Sequence, residues 1–118
     1  MTPRVWVFAA GAVLATSLPA LAGDYAPLNC SKAHSPAETA ICKSYALGQA
    51  EARMATLYGI ATSLVAIGRR GDIQDQQRSW LKQRDACGDR VACLEEAYAT
   101  RIDELNSVVA DVASRGPF

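Results

Sequence analysis

Apolar residues recur at alternating steps of three and four along most of the chain, which is the spacing of one face of an α-helix. The first such segment begins at Ser35-Pro36-Ala37-Glu38, a capping box with proline at the first helical position. We predict that the Ser35 hydroxyl accepts from the Glu38 N–H and that the Glu38 carboxylate accepts from the Ser35 N–H. The apolar stripe that follows comprises Leu47, Ala50, Met54, Leu57, Ala61 and Leu64. This helix is predicted to end at Gly68, and Gly48 and Gly59 are positions where it can bend.

Two more helices are predicted after a turn at residues 68–72. The second runs from about Ile73 to Ala86 behind an N-cap at Asp72, and the third follows Gly88 with Asp89 as its N-cap. In the second helix, one face is shared by Ile73, Gln77, Trp80, Leu81 and Arg84. The third presents a longer stripe, made of Val91, Leu94, Tyr98, Ile102, Leu105, Val109 and Val112.

Three amphipathic helices joined by short turns predict an all-α fold, a small antiparallel three-helix bundle. The helical domain is predicted over residues 35–113. An irregular lead-in covers residues 23–34, and a flexible tail covers residues 114–118.

The N-terminus has the organisation of a secretory signal peptide, predicted over residues 1–22. Arg4 supplies the positive charge, Val5 to Leu18 is almost entirely apolar or small, and Ala20-Leu21-Ala22 fits the small-x-small cleavage rule. The alternative is an interfacial or buried N-terminal helix. The apolar run, roughly 14 residues, is too short to span a bilayer comfortably. We therefore expect a periplasmic or secreted protein without a membrane span. Asn29 before Cys30 does not fit a lipidation signal, so no lipid anchor is expected.

Four cysteines follow the predicted signal: Cys30, Cys42, Cys87 and Cys93. An even number in an exported chain predicts two disulfides, and neither a C-x₂-C pair nor a nearby histidine favours a metal site. At ~1.5 Å per residue the second helix retraces about 20 Å of the first, which leaves Cys87 ~16 Å from Cys42. Bridged Cα atoms lie within about 7 Å, so the local pairs Cys30–Cys42 and Cys87–Cys93 are favoured. A break in the first helix at Gly48 would remove this argument.

The chain offers no convincing catalytic set, and we predict neither enzymatic activity nor a cofactor. His34 is the only histidine, and oxidised cysteines are not nucleophiles. Adjacent carboxylates such as Glu95-Glu96 point about 100° apart on a helix, so they do not face one substrate. The formal net charge is zero and no basic stripe is present, which argues against a nucleic-acid partner.

Several motifs resemble the LprI family of lysozyme-inhibitor-like proteins over about Asn29 to Leu105. They are Cys30-Ser31-Lys32-Ala33, Ser35-Pro36-Ala37-Glu38, Ala40-Ile41-Cys42, Leu57-Tyr58, the segment from Gln77 to Cys87, and Cys93-Leu94 with Tyr98, Arg101-Ile102 and Leu105. Ala50-Glu51 stands where the family usually has Leu-Asp. The resemblance implies an exported binding protein that blocks a cell-wall-cleaving glycosidase by protein–protein contact. The alternative is a structural or accessory protein of the cell envelope that inhibits nothing.

Two bridge-held segments are the candidate contact surfaces, because the helical stripes are used to build the bundle. One is the lead-in segment from Asn29 to Glu38, which presents Lys32 and His34. The other is the turn from Asp85 to Cys93, which presents Asp85, Asp89 and Arg90. Loops held by bridges lose little entropy on binding. The second segment is slightly favoured, because Asp85 and Asp89 can meet the basic rim of a lysozyme.

Export gives the first testable prediction. N-terminal sequencing of the periplasmic or secreted product should begin at Gly23, because cleavage is expected after Ala22. A product that is found in the cytoplasm with Met1 retained would contradict both the signal peptide and the oxidising environment that the disulfides need.

Overall fold

The computed structural model describes residues 28–115, and these residues form four α-helices and one short 3₁₀ helix with no strand. The helices are α1 (Pro36–Lys43), α2 (Tyr45–Leu64), α3 (Ile67–Ala86) and α4 (Val91–Ala113), preceded by a 3₁₀ turn at Cys30–Lys32. The all-α class is confirmed, whereas the predicted number of three helices is wrong. The predicted signal peptide, residues 23–27 of the lead-in and residues 116–118 of the tail lie outside the described residues.

The extra helix arises because the predicted first helix is broken at Ser44. Ser44 has an extended backbone (φ −108°, ψ 120°), and its hydroxyl accepts a hydrogen bond of 3.2 Å from the Leu47 N–H, so it is the N-cap of α2. Serine competes for backbone hydrogen bonds in this way and therefore favours helix starts over helix interiors. The break lets α1 leave the axis of α2 and pack against both α2 and α3. Gly48 and Gly59, the predicted bend positions, both lie within α2.

One of the two hydrogen bonds predicted at the start of α1 is present. The Ser35 hydroxyl accepts from the Glu38 N–H at 3.1 Å, as predicted. The Glu38 carboxylate accepts from the N–H of His34 at 3.2 Å rather than from Ser35. Glu38 therefore ties the end of the lead-in to the first turn of α1.

The turn between α2 and α3 is formed by Val65 and Ala66, and not by residues 68–72. Both have extended backbones, with ψ of 160° and 159°. Gly68 and Asp72 lie inside α3, so their predicted roles as helix stop and N-cap are wrong. A glycine costs about 1 kcal/mol in a helix interior, and the packing of α3 through Ile73 and Trp80 outweighs that cost.

The turn between α3 and α4 contains the one positive φ in the described part of the chain, at Gly88 (φ 59°). A left-handed residue after the last helical turn is a common helix stop, which confirms the predicted end of the helix at this glycine. The N-cap of α4 is Arg90 and not Asp89, and its side chain makes no cap hydrogen bond. The Arg90 guanidinium instead donates to the carbonyls of Cys87 (3.0 Å) and Ala86 (3.4 Å) at the end of α3.

The three long helices alternate in direction. Contacts between α3 and α4 run from Arg69–Asp111 to Trp80–Ala97, and contacts between α3 and α2 run from Arg70–Thr62 to Arg84–Glu51. The predicted stripes form most of the core, whose buried members include Leu47, Met54, Ala61, Ile73, Trp80, Leu94, Tyr98, Leu105 and Val112. The stripe ends depart from this pattern: Leu64 is 50% exposed and Val91 is 47% exposed. Among residues 28–115, every helix is too short or too polar to span a lipid bilayer.

Both predicted disulfides are confirmed. Cys30 bonds to Cys42 with 5.7 Å between the Cα atoms, and Cys87 bonds to Cys93 with 5.6 Å. The pairing holds although the break at Ser44 removes the unbroken helix that the length argument assumed. Each bridge ties a segment outside the long helices to the helix beside it.

The burial of Trp80 between α3 and α4 provides a testable prediction about the fold. Its side chain is only 5% exposed, its Nε1–H donates to the Ala97 carbonyl at 2.9 Å, and its ring meets Tyr98 edge-on at 5.2 Å. Trp80→Ala should cost about 3–5 kcal/mol in the free energy of unfolding, because it leaves a large cavity between α3 and α4. Denaturant unfolding followed by circular dichroism measures this cost. A loss below about 1 kcal/mol, or a native tryptophan emission typical of water, would contradict the burial.

Candidate functional site

A groove lies at the end of the bundle that carries both disulfides, and we call it the disulfide-end groove. Its volume is about 600 Å³, and its lining residues are His34, Pro36, Thr39, Ala40, Lys43, Ser44, Asp89 and Val91. The exposed face of α1 forms one wall, because Pro36, Ala40 and Lys43 follow helical spacing. The turn before α4 forms the other wall.

Each wall of this groove is held by its own disulfide. Cys30–Cys42 fixes the lead-in against α1, and Cys87–Cys93 closes the turn that carries Asp89. Within the lead-in, the Asn29 side chain accepts from the Ser31 N–H at 3.1 Å and starts the 3₁₀ turn. The predicted irregular lead-in is thus ordered at residues 30–32. The groove is bordered by two cross-linked segments that are distant in sequence.

The five predicted contact residues are all exposed, and the structure divides them into two pairs and one further residue, Lys32. His34 and Asp89 line the groove, so the two segments that the sequence offered as alternatives form one surface. Asp85 and Arg90 already have intramolecular partners: Asp85 accepts from the Arg84 guanidinium at 2.9 and 3.0 Å, and Arg90 donates to the end of α3. Lys32 lies in the 3₁₀ turn at the start of the same segment as His34.

Lys43 is a groove residue that the sequence analysis missed. It follows Pro36 by seven residues, which places it on the same face of α1. That spacing becomes informative only once α1 is recognised as a separate helix ending at Lys43. Within residues 28–115, the side chains of Lys43 and Asp89 make no hydrogen bond or ion pair. Both charges are therefore available to a partner.

His34 gives the groove a further polar edge. Its side chain is 87% exposed, and its Nδ1 lies 3.6 Å from a Glu38 carboxylate oxygen and 3.2 Å from the Lys32 carbonyl oxygen. The groove lining thus combines a cation (Lys43), an imidazole (His34) and a carboxylate (Asp89) with the apolar side chains of Pro36, Ala40 and Val91. Such a surface can bind a protein through both charge and apolar contact.

A second polar feature lies inside the bundle, where Glu51, Arg84 and Tyr98 form a buried cluster. They come from α2, α3 and α4, and their exposed fractions are 6%, 4% and 1%. The Tyr98 hydroxyl donates to the Glu51 carboxylate, and an Arg84 guanidinium nitrogen lies 3.8 Å from the same oxygen. The Arg84 guanidinium also lies 5.8 Å from the centre of the Trp80 ring. One cluster therefore joins the three long helices.

The protonation states in this cluster follow from burial and charge. Burial, together with the charge of Glu51 and the hydrogen bond to it, holds the pKa of Tyr98 well above its usual range, so its hydroxyl stays a donor. Burial alone would lower the pKa of Arg84, but its hydrogen bond to Asp85 and nearby negative charge raise it overall. Arg84 therefore remains charged beside Glu51.

Arg101 makes a second buried connection between α4 and α3. It is 1% exposed and donates to the Gln77 side chain (2.9 Å), to the Glu104 carboxylate (2.9 Å) and to the Ile73 carbonyl (3.3 Å). In the described part of the chain, every buried side-chain nitrogen and oxygen has a hydrogen-bond partner. The same residues contain no group of three or more histidine, cysteine or acidic side chains able to hold a metal ion.

The sequence contained a usable signal for these buried charges. Glu51 lies four residues after Leu47 and three before Met54, and Arg101 lies three after Tyr98 and four before Leu105. Both therefore sit on the apolar stripes of their helices. A charged residue on such a stripe needs a buried partner, so the positions of Glu51 and Arg101 indicate buried polar contacts between helices.

In a comparison with protein families, residues 30–105 match a family model described as lysozyme inhibitor LprI. The match covers more than half of the chain, including all four cysteines and both walls of the groove. Comparisons with curated proteins and with solved structures found no match.

The buried cluster predicts a loss of stability at high pH. The pKa of Tyr98 is raised above the usual value of 10.0, so above that pH the unfolded chain releases a proton that the folded chain keeps. The stability that Tyr98 contributes is complete below about pH 10 and falls by about 1.4 kcal/mol per pH unit above it. Tyr98→Phe should cost about 1–3 kcal/mol at neutral pH by leaving Glu51 without its donor.

Denaturant unfolding of the wild type and of Tyr98→Phe from pH 7 to 11 tests this prediction. The difference between their free energies of unfolding isolates the contribution of Tyr98 from that of the other tyrosines. The stability gap between wild type and Tyr98→Phe should narrow above pH 10. A gap that stays constant would show that Tyr98 titrates normally in the folded protein.

Proposed function

The chain belongs to the LprI family of lysozyme inhibitors, and we propose that this protein binds a lysozyme and blocks its substrate cleft. The contact is assigned to the disulfide-end groove and its two walls. In this proposal the protein acts by protein–protein contact, without catalysis or cofactor, and it acts outside the cytoplasm in the periplasm or after secretion.

The observation that carries this assignment is that two disulfide-held segments border one groove. His34 and Asp89 are more than fifty residues apart in sequence, yet both line it. Binding orders loops and side chains at a cost in entropy, and cross-linked segments have lost much of that freedom before binding. A pre-organised surface of this kind suits the obstruction of a rigid enzyme cleft.

The charges on the groove match the chemistry of such a cleft. Glycosidases that cleave cell-wall polymers use a pair of carboxylic residues at the scissile bond. Lys43, which has no partner among residues 28–115, offers a cation to these carboxylates. Asp89 on the opposite wall offers an anion to a basic rim. Asp85 and Arg90 contribute indirectly, because their side chains hold Arg84 and the end of α3.

A non-inhibitory accessory protein of the cell envelope is the second candidate, and one observation favours it. The formal net charge is zero, so long-range attraction to a basic lysozyme is weak. In that case the same groove binds another envelope component.

A cell-wall turbidity assay with purified protein and a panel of lysozymes from different structural classes tests the proposal. The native protein should slow lysis by at least one of them. Lys43→Glu and Asp89→Lys should each raise the inhibition constant about tenfold or more, because each reverses a charge at the contact. The matched controls are Lys82→Glu and Asp72→Lys, which make the same changes at exposed positions of α3 outside the groove.

Two results would count against this assignment. If all four variants are folded and inhibit like the native protein, the groove is not the contact surface. If the native protein inhibits no lysozyme in the panel, the accessory function replaces inhibition.

A further inference from the structure

The end of the bundle opposite the disulfides carries an exposed apolar tip, formed by Ile60, Leu64 and Ile67. Their exposed fractions are 41%, 50% and 82%. Ile60 and Leu64 share one face of α2, and Ile67 opens α3 just after the turn. Leu64 has the spacing of the apolar stripe of α2, but it lies beyond the last buried residue of that stripe, Ala61. The tip therefore presents apolar side chains to solvent where the bundle does not need them.

The segment that forms this tip contains no charged residue, and it is followed directly by two arginines. No charged residue occurs between Arg53 and Arg69, so the last part of α2 and the turn contain only apolar and neutral polar residues. Arg69 and Arg70 follow directly. The Arg70 guanidinium donates to the Thr62 carbonyl at 2.7 Å, next to the apolar side chains of the tip. Inserting these side chains into an apolar phase therefore brings the guanidinium groups of Arg69 and Arg70 to the boundary of that phase.

The end of α4 adds to the positive charge at this end of the bundle. Arg69 lies 3.4 Å from the Asp111 carboxylate, and Arg115 lies 2.6 Å from the same carboxylate. With Arg70 included, this end of the bundle carries three arginines and two aspartates, Asp72 and Asp111. Arg69 and Arg115 remain about half exposed or more, at 46% and 62%. The residues around the tip therefore have a positive net charge.

We infer that this tip docks on the surface of an anionic lipid bilayer, with Ile60, Leu64 and Ile67 at the level of the acyl chains and the arginines among the phosphate groups. Amphipathic surfaces with apolar residues flanked by arginine bind membranes in this way. The helix α3 has 20 residues and spans about 30 Å. The disulfide-end groove then faces away from the bilayer at about that distance. This docking goes beyond inhibition and does not depend on it.

Charge argues for a bilayer over a second copy of this chain. Packing two tips face to face brings the arginines around one tip towards those around the other, which is unfavourable. The three apolar side chains also form a small patch compared with the area that a stable dimer buries. Anionic headgroups meet the same arginines favourably.

Vesicle flotation with the exported, disulfide-bonded protein tests this inference. The protein should bind vesicles of phosphatidylglycerol and phosphatidylcholine and bind pure phosphatidylcholine more weakly. Ile67→Ser should reduce binding about tenfold, whereas Val91→Ser, at an exposed apolar residue of the opposite end, should leave it unchanged. Arg69→Gln should reduce binding about fivefold, and the control Arg53→Gln should not.

Other outcomes would overturn the docking. The inference is wrong if neither vesicle binds, if Ile67→Ser binds like the native protein, or if sedimentation shows that the native protein dimerises and Ile67→Ser does not. Lysozyme inhibition by Ile67→Ser in solution should equal that of the native protein. Loss of vesicle binding in this variant, with inhibition retained, therefore separates this inference from the proposed function.

Discussion

The hydrogen bond between Tyr98 and Glu51, with Arg84 beside it, is the interaction on which the arrangement of the long helices depends. It joins α4 to α2 and brings α3 against both, in a place where almost no water reaches. A buried carboxylate without its donor and its cation would be strongly unfavourable. The three helices must therefore keep the register that places these groups together. Leucine or alanine contacts alone would tolerate a shift along the helix axes.

This register positions the surfaces at the two ends of the bundle. It fixes the positions of the end of α3 and the start of α4 relative to α2, and so it places the turn with Asp89 across the groove from α1. The disulfides then act locally, on segments that the long helices do not hold. At the other end the same register lets α2 and α3 extend past the core, which leaves Ile67 and Leu64 exposed. Each surface thus follows from the packing at the centre.

The sequence was sufficient for the helical class, the Ser35 cap and most buried stripe positions, because these depend on local spacing. Both disulfides were also predicted correctly, although the unbroken first helix that the argument assumed is interrupted at Ser44. The sequence misplaced the turn after α2, since Gly68 and Gly71 resemble a loop but are tolerated within a packed helix. It missed the break at Ser44, because a serine is compatible with either a helix interior or a cap until tertiary contacts are known. The groove could not be predicted for a related reason: His34 and Asp89 line one groove only because α1 turns away from α2.

A double-mutant cycle between Tyr98 and Glu51 tests most directly whether the buried cluster holds the bundle. The variants are Tyr98→Phe, Glu51→Leu and the double substitution, each unfolded with denaturant at neutral pH. Both single variants leave a buried polar group without its partner, and the double variant removes both groups. We expect the two costs to be non-additive by about 1–3 kcal/mol, with the double variant more stable than their sum implies. Strictly additive costs would show that these side chains act independently and that the register is fixed elsewhere.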